Sequence, residues 1–288
     1  MRAIPSFLLV VAASGGLLVS AASAQPFIFS TNSPDGKIAM ATNPSSAGNL
    51  ERETGDDFIL NTPTAINQAI FTGLITGSST SFNNVVTEIY RVFPKDSVDP
   101  PSGNVPTRNN SPSDVAFVSR DLSSPGFTVS MQTLGTFTAA NSVLNGIFPK
   151  PNFHTQGEGA VTGQEVQFTV DFTTPLDLPA DHYFLVPQVE VNGDGHFFWL
   201  SAPRPIVAPG TPFLPDLQAW IRNEDLAPDW LRVGTDIVGV VDDNPVPTFN
   251  AAFSLKGVEI PESSSGWVIA AALAIGVFVI RRKRRLTA

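Results

Sequence analysis

The sequence predicts an all-β fold: a single antiparallel β-sandwich or jelly-roll-like domain over residues 25–259, with about ten strands. Proline and glycine are frequent, with 25 and 22 residues among 288, whereas charged residues account for 15% and phenylalanine occurs 21 times. This composition is typical of short strands joined by turns. Several segments also alternate apolar and polar residues with the period of two that a half-buried strand requires.

The segment GQEVQFTVDFTTPLDL, residues 163–178, shows the clearest alternation. Val166, Phe168, Val170 and Phe172 fall on one face, and the polar residues between them fall on the other. Such a pattern predicts an antiparallel strand with one face in the core. Similar alternation predicts strands at residues 37–43, 85–93 and 247–260.

A tight turn is predicted at Asn192–Gly195, because glycine supplies a positive φ at no steric cost. The apolar segments on either side, HYFLVPQVEV and GHFFWLSAP, are therefore expected to form a hairpin that brings His182 and His196 together. Such a pair could bind zinc or act as a general base, although histidines at strand ends are more often ordinary polar groups. His154 lies apart from both, in a turn-like stretch.

Two segments depart from the strand pattern. Residues 211–234 predict a short helical insertion, in which Trp220 and Trp230 pack the helices onto the body. Residues 94–114 contain five prolines and few apolar residues. They predict a long, exposed and irregular loop.

An enzyme of the glycosidase type needs two carboxylates that face each other across a cleft. The spacing of the acidic residues selects no such pair. The aromatic stretch HFFWL, residues 196–200, could stack on sugar rings, but the core is the favoured place for it, with one face buried and the other partly exposed. Nucleophile elbows, phosphate loops and dinucleotide fingerprints are missing from the sequence. Candidate carboxylates by residue type alone are Glu88, Glu158, Glu165, Asp171 and Glu190.

Two acidic pairs beside predicted strands are candidate calcium ligands, since calcium binds carboxylate oxygens in loops. They are Asp56 with Asp57, and Asp242 with Asp243. Neither pair fits the EF-hand loop, and turn formation by Asp and Asn is the favoured explanation. The sequence indicates no other cofactor.

Composition excludes several classes of function. The chain contains no cysteine, so it has no disulfide, no thiol nucleophile, no cysteine-bound zinc and no iron–sulfur cluster. Six of its 17 cations lie at the two ends, which leaves 11 cations against 26 acids and makes the body strongly acidic. Nucleic-acid binding needs basic surfaces and is therefore not expected.

The first 24 residues have the three-part pattern of a secretory signal: Arg2, then an apolar stretch, then the small residues Ala22 and Ala24. Cleavage is predicted before Gln25. The alternative is an N-terminal membrane anchor, which the short apolar run disfavours.

The last 29 residues, 260–288, combine a Pro-Glu pair (Pro261 and Glu262), an apolar stretch at 264–280 and five consecutive cations at 281–285. The stretch predicts one transmembrane helix, with Trp267 at the interface. These cations are expected to stay on the cytoplasmic side of the membrane, which places residues 25–259 on the opposite side. These stop residues are Arg281, Arg282, Lys283, Arg284 and Arg285.

This order of Pro-Glu pair, single span and basic end resembles a PEP-CTERM sorting signal. The resemblance implies an exported protein of a Gram-negative bacterium that makes extracellular polysaccharide. It also implies processing of the tail by an exosortase, a membrane protease-transpeptidase that recognises the Pro-Glu-Pro box. Here the third position of the box is Ser263. The body resembles, more loosely, β-rich proteins that carry such tails, through EIYRVFPKDS and SPSDVAF.

The sequence therefore predicts a non-catalytic exported protein of the cell surface or extracellular matrix, held at the membrane until its tail is processed. Association with exopolysaccharide is implied by the resemblance alone. One alternative is a secreted carbohydrate-active enzyme, a glycoside hydrolase or lyase. Another is a binding protein that stays anchored by the tail and faces the periplasm.

Overall fold

The computed structural model describes residues 24–31, 33–46, 48–148, 154–203, 217–240 and 247–261. Within these ranges the chain is all-β, as predicted, and its strands form two sheets in which one pair, β2 with β8, is parallel. A six-residue π-helix, Val233–Val238, is the one helix in the described part. The strands are β1 Pro26–Ser30, β2 Ile38–Ala41, β3 Arg52–Leu60, β4 Thr64–Ile75, β5 Phe82–Arg91, β6 Val118–Asp121, β7 Phe127–Ala139, β8 Asn141–Val143, β9 Val161–Leu178, β10 Asp181–Val191, β11 Phe197–Ala202, β12 Trp220–Asn223, β13 Leu231–Arg232, β14 Asn250–Ala251 and β15 Phe253–Glu259.

The first sheet has nine strands and is built around β4. One side of β4 pairs with β9, which in turn pairs with β7. The other side pairs first with β15 and then with β11. Beyond these lie β1 next to β15, β2 next to β11, β8 next to β2, and the short β14 against the end of β11.

The second sheet has six strands in the order β13-β12-β3-β10-β5-β6. Its inner face packs against the first sheet, so that residues of both sheets form one hydrophobic core. Phe71 and Phe168 come from the nine-stranded sheet, and Phe58 and Leu185 come from the six-stranded sheet. Burial of each such side chain contributes about 1.5–3 kcal/mol.

The alternating segments fold as predicted. All four apolar residues of β9 named above are buried, at 3% exposure or less. The neighbouring polar side chains of Gln167 and Asp171 lie on the opposite face and are half-buried. The predicted register of the last strand is also observed, because Ala251, Phe253 and Leu255 all point into the core.

The predicted helical insertion is wrong over residues 217–232, whereas residues 211–216 lie outside the described ranges. Residues 220–223 form β12, an antiparallel partner of β3 at the edge of the six-stranded sheet. Trp220 and Arg222 alternate with Ile221, which reaches the main core, so the local pattern is that of a strand. Trp220 and Trp230 are both buried and pack down this segment, as expected.

The predicted hairpin around Asn192–Gly195 is also wrong. Gly193 does adopt a positive φ of 88°, but the turn carries the chain from β10 in one sheet to β11 in the other. Both strands are buried along nearly their whole length because one face of each reaches the main core and the other face packs in a smaller apolar cluster. His182 consequently lies within β10, near its first residue, whereas His196 follows its last residue, and the two do not meet.

The tail prediction lies mostly outside the described residues. Among the residues that the structure does describe, no helix is both long and apolar enough to cross a bilayer. The predicted span 264–280 and its basic stop lie outside the described residues.

Candidate functional site

A groove of about 370 Å³ lies on the outer face of the nine-stranded sheet. Its floor is made by side chains of β4, β9 and β15 that point away from the core. This direction follows from strand periodicity, because the intervening residues, such as Phe71 and Phe168, point inward. The floor residues are Ile70, Thr72, Glu165, Gln167 and Ser254.

A β-bulge forms one wall of this groove. The pairing of β7 with β9 passes from Thr133 to Gly135 and leaves Leu134 without an opposing residue. A bulge of this kind redirects the side chain of the extra residue. Leu134 is 46% exposed and lines the groove, while Ser33 and Pro34 line it as well.

The groove offers groups that suit a ligand rich in hydroxyls. Gln167 lies beside Thr72, to whose hydroxyl oxygen its amide nitrogen donates a long hydrogen bond of 3.4 Å. Ser30 and Ser254 line the same surface. Amide and hydroxyl groups both donate and accept hydrogen bonds, as sugar hydroxyls do. The volume is within the range of small-ligand sites.

The groove contains one carboxylate among its described lining residues, that of Glu165. Partial burial raises the pKa of this carboxyl above its ordinary value. Glycoside hydrolysis ordinarily uses two carboxylates on either side of the bond that breaks. The described lining of the groove therefore does not supply the carboxylate pair of this mechanism.

A second polar cluster lies on the outer face of the six-stranded sheet, and sequence reasoning missed most of it. The Tyr90 hydroxyl lies 2.6 Å from a carboxylate oxygen of Glu53 and 3.0 Å from one of Glu88. Arg222 donates to Glu53 and, at 3.0 Å, to the Tyr90 hydroxyl oxygen. Its guanidinium also lies 4.3 Å from the ring centroid of Trp230.

The charges in this cluster are strongly coupled. Burial and then the charge of Glu53 raise the pKa of Glu88 to about 7. Burial and the charge of Glu53 also raise the pKa of Tyr90. Burial alone would lower the pKa of Arg222, but the charge and hydrogen bond of Glu53 outweigh it and raise that pKa. Two carboxylates so close to each other favour a shared proton.

The loop predicted to be exposed covers part of this cluster instead. Arg108 is 4% exposed. It forms ion pairs of 2.9 Å with Asp229 and with Asp114. Ser113 is fully buried, and its carbonyl accepts a hydrogen bond of 3.1 Å from the indole of Trp230. The loop is irregular, as predicted, but several of its polar residues are buried because they hold it onto the sheet.

The two described calcium candidates do not share a site. Asp56 and Asp57 are neighbours in β3 and therefore point to opposite faces of the sheet. Asp56 accepts a hydrogen bond of 2.8 Å from the backbone N–H of Ala251, and Asp57 lies 2.6 Å from Nε2 of His182. Within the described ranges, no three His, Asp or Glu residues are grouped to hold a metal ion. Asp242 and Asp243 lie outside those ranges.

Among the remaining candidate carboxylates, Glu158 and Asp171 have local hydrogen-bond partners. Glu158 accepts hydrogen bonds from successive backbone N–H groups, including those of Leu144 at 3.1 Å and Gly146 at 2.8 Å. Asp171 accepts one of 2.7 Å from the amide of Gln68. Glu190 lies near His196 beside a cavity of about 10 Å³, which is too small for a sugar.

The histidines and the aromatic stretch are structural. Burial, followed by the charge of Arg52, lowers the pKa of His196. His154 lies apart from both other histidines and is half-buried. Phe197 and Trp199 reach the main core, whereas Phe198 packs in a smaller cluster on the other face. Both faces are therefore buried, and the expected partial exposure of one face is not observed.

The predicted processing points lie next to each other where they are described. The backbone N–H of Glu259 donates a hydrogen bond of 2.8 Å to the carbonyl of Gln25. Ala24, Gln25 and Pro261 are exposed. Ala22, Glu262 and the basic stop lie outside the described residues. The two predicted boundaries of the body thus lie side by side, at the β1–β15 edge of the nine-stranded sheet.

Comparison of the chain with protein-family models, with curated proteins and with solved structures finds no match.

Proposed function

We propose that this protein is a non-catalytic, exported protein of the cell surface or extracellular matrix that associates with exopolysaccharide through the groove on its nine-stranded sheet. The observation that carries this proposal is the polar part of the groove's lining: serine, threonine and glutamine side chains with a single carboxylate, Glu165. Such groups match sugar hydroxyls in hydrogen bonding, and the second carboxylate that hydrolysis needs is missing from the described lining.

Delivery by the C-terminal tail is the second part of the proposal. The body is a single antiparallel sandwich, anchored by one transmembrane helix at 264–280 until an exosortase-type protease acts at the Pro261–Glu262 box. The exposed position of Pro261 at the end of β15 supports it, because a processing enzyme needs an accessible chain there. Calcium and nucleic acid have no part in this proposal.

Gln167→Ala is expected to weaken binding of polysaccharide about fivefold to tenfold, because it removes an amide worth roughly 1 kcal/mol as a hydrogen-bonding partner. The measurement is isothermal titration of the purified protein with soluble extracellular polysaccharide prepared from the producing cells. Asn83→Ala is the matched control, since Asn83 is an exposed amide on a strand of the other sheet. Equal affinity in both variants would show that the groove is not the binding surface.

Glu262→Ala is expected to leave export intact and to block tail processing, because the Pro-Glu box is disrupted while the apolar span is kept. Peptide mapping of membrane and extracellular fractions measures this, with Ser265→Ala, which lies outside the three-residue box, as the control. Loss of the tail from extracellular wild type but not from Glu262→Ala supports sorting. Wild type that keeps its tail and occurs only in membranes would favour the permanently anchored, periplasm-facing alternative.

A secreted carbohydrate-active enzyme is the second candidate function, and the Glu53–Glu88 cluster is the observation that favours it. A carboxyl with a pKa of about 7 beside another carboxylate is a usual acid–base arrangement. Two observations oppose an enzymatic role: Glu53 is only 5% exposed, and its carboxylate already accepts hydrogen bonds from Arg222 and Tyr90. Release of reducing sugars by wild type but not by Glu88→Gln would establish the enzyme.

A further inference from the structure

The strand β7 forms a long edge of the nine-stranded sheet. It runs for 13 residues, Phe127–Ala139, and pairs with β9 on one side. In the described part of the chain, no strand pairs with its other side. An edge of this kind presents a row of backbone N–H and C=O groups that can pair with another strand.

The other described sheet edges have the protections that usually prevent such pairing. The edge strands β1, β6, β8 and β13 are 5, 4, 3 and 2 residues long. β1 begins with Pro26, and β6 carries Arg120 and Asp121. Short length, proline and charge all disfavour pairing with a further strand. β7 has no proline and no charged residue, and its bulge at Leu134 leaves the stretch Phe127–Thr133 continuous.

This stretch, FTVSMQT, is complementary to itself when two copies run antiparallel. If Ser130 lies opposite Ser130, then Val129 lies opposite Met131, and Thr128 lies opposite Gln132. Val129 and Met131 are half-buried at the rim of the core, so the second copy would cover the apolar surface that they still expose. Thr128, Ser130 and Gln132 are exposed and would meet polar partners on the other face.

We propose that β7 pairs with β7 of a second copy of this chain, antiparallel and centred on Ser130, to form a dimer with one continuous sheet. The occupant is a second copy because the uncharged stretch pairs like with like on both faces in this register. The two-fold axis then stands perpendicular to the sheet. Both polysaccharide grooves consequently face the same side, although the pairing itself does not depend on what the grooves bind.

The chain's lack of cysteine makes a direct test of this register available. Directly opposed residues have Cα atoms about 4.5–5.5 Å apart, within the range that a disulfide spans. Full-length Ser130→Cys, expressed in an exporting host and treated with a mild oxidant, is expected to give at least about tenfold more disulfide-linked dimer than Asn83→Cys on a non-reducing gel. Both variants carry the same tail, so association through the tail would raise the amount of disulfide-linked dimer equally in both.

A second variant tests the pairing without a new thiol. Ser130→Lys places two ammonium groups opposite each other in the dimer, while in a single copy the side chain stays exposed. We expect it to raise the dissociation constant of the full chain at least about fivefold in sedimentation experiments, with Asn83→Lys as the control. Equal cross-linking of the two cysteine variants, or an unchanged dissociation constant in Ser130→Lys, would overturn the proposal.

Discussion

Replacing Arg222 by methionine is expected to lower the free energy of unfolding by about 3–5 kcal/mol. Arg222 is 6% exposed and is the cation among the carboxylates of Glu53 and Glu88. Methionine fills much of the same volume but leaves the buried charge of Glu53 without its counter-ion. Removing one partner of a buried pair costs far more than the intact pair contributes, because the remaining charge is still out of water.

Two further variants separate this explanation from a general packing defect. Adding Glu53→Gln to Arg222→Met is expected to restore part of the lost stability, because it removes the uncompensated charge. Arg120→Met is the matched control: Arg120 donates to the carbonyl of Ser119 near the surface and should change stability by less than about 0.5 kcal/mol. Urea unfolding followed by tryptophan fluorescence gives all three values. A double variant less stable than Arg222→Met would contradict the electrostatic explanation.

Strands were predictable where their signal is local. In β9 the alternation of apolar and polar residues is continuous over Val166–Phe172, and the buried residues of the structure follow it there. In β12 the alternating residues are Trp220, Ile221 and Arg222, so an aromatic and an arginine take positions that face a covered surface rather than solvent. The covering segments, residues 92–117 and 224–230, are distant in sequence or irregular. The alternation of polar and apolar residues along a strand does not show that the polar face is buried, because the segments that cover this face are irregular and have no such pattern themselves.

The candidate sites were less predictable than the strands for the same reason. Glu53 and Arg222 are 169 residues apart in the chain, and their pairing follows from β12 lying beside β3. The groove likewise depends on β4, β9 and β15 becoming neighbours. Glu88 and Glu165 were named by residue type, but only the sheet order shows that Glu88 has a carboxylate partner and that Glu165 lies alone in a groove.

Replacing Glu88 by glutamine is expected to stabilise the protein above pH 7 and to flatten its stability between about pH 4.5 and pH 7. The pKa of Glu88 is about 7 in the folded protein, against 4.5 ordinarily. Between these values the folded state holds a proton that the unfolded state has lost. The unfolded state therefore binds fewer protons, and stability falls as the pH rises through this window.

Burial and the nearby charge of Glu53 keep that proton on Glu88. The Tyr90 hydroxyl donates to Glu53 at 2.6 Å and to Glu88 at 3.0 Å, and the second hydrogen bond favours the ionised form of Glu88 and opposes part of this effect. Glutamine keeps an oxygen that can accept from Tyr90 but has no ionising proton, so its contact is the same at every pH. The free energies of unfolding of wild type and variant differ by at most about 3 kcal/mol. Solvent screening reduces this difference, because Glu88 is partly exposed. Urea unfolding at pH 5, 6, 7 and 8 measures that difference. A difference that stays constant across this range would mean that Glu88 is already ionised in the folded protein at pH 5.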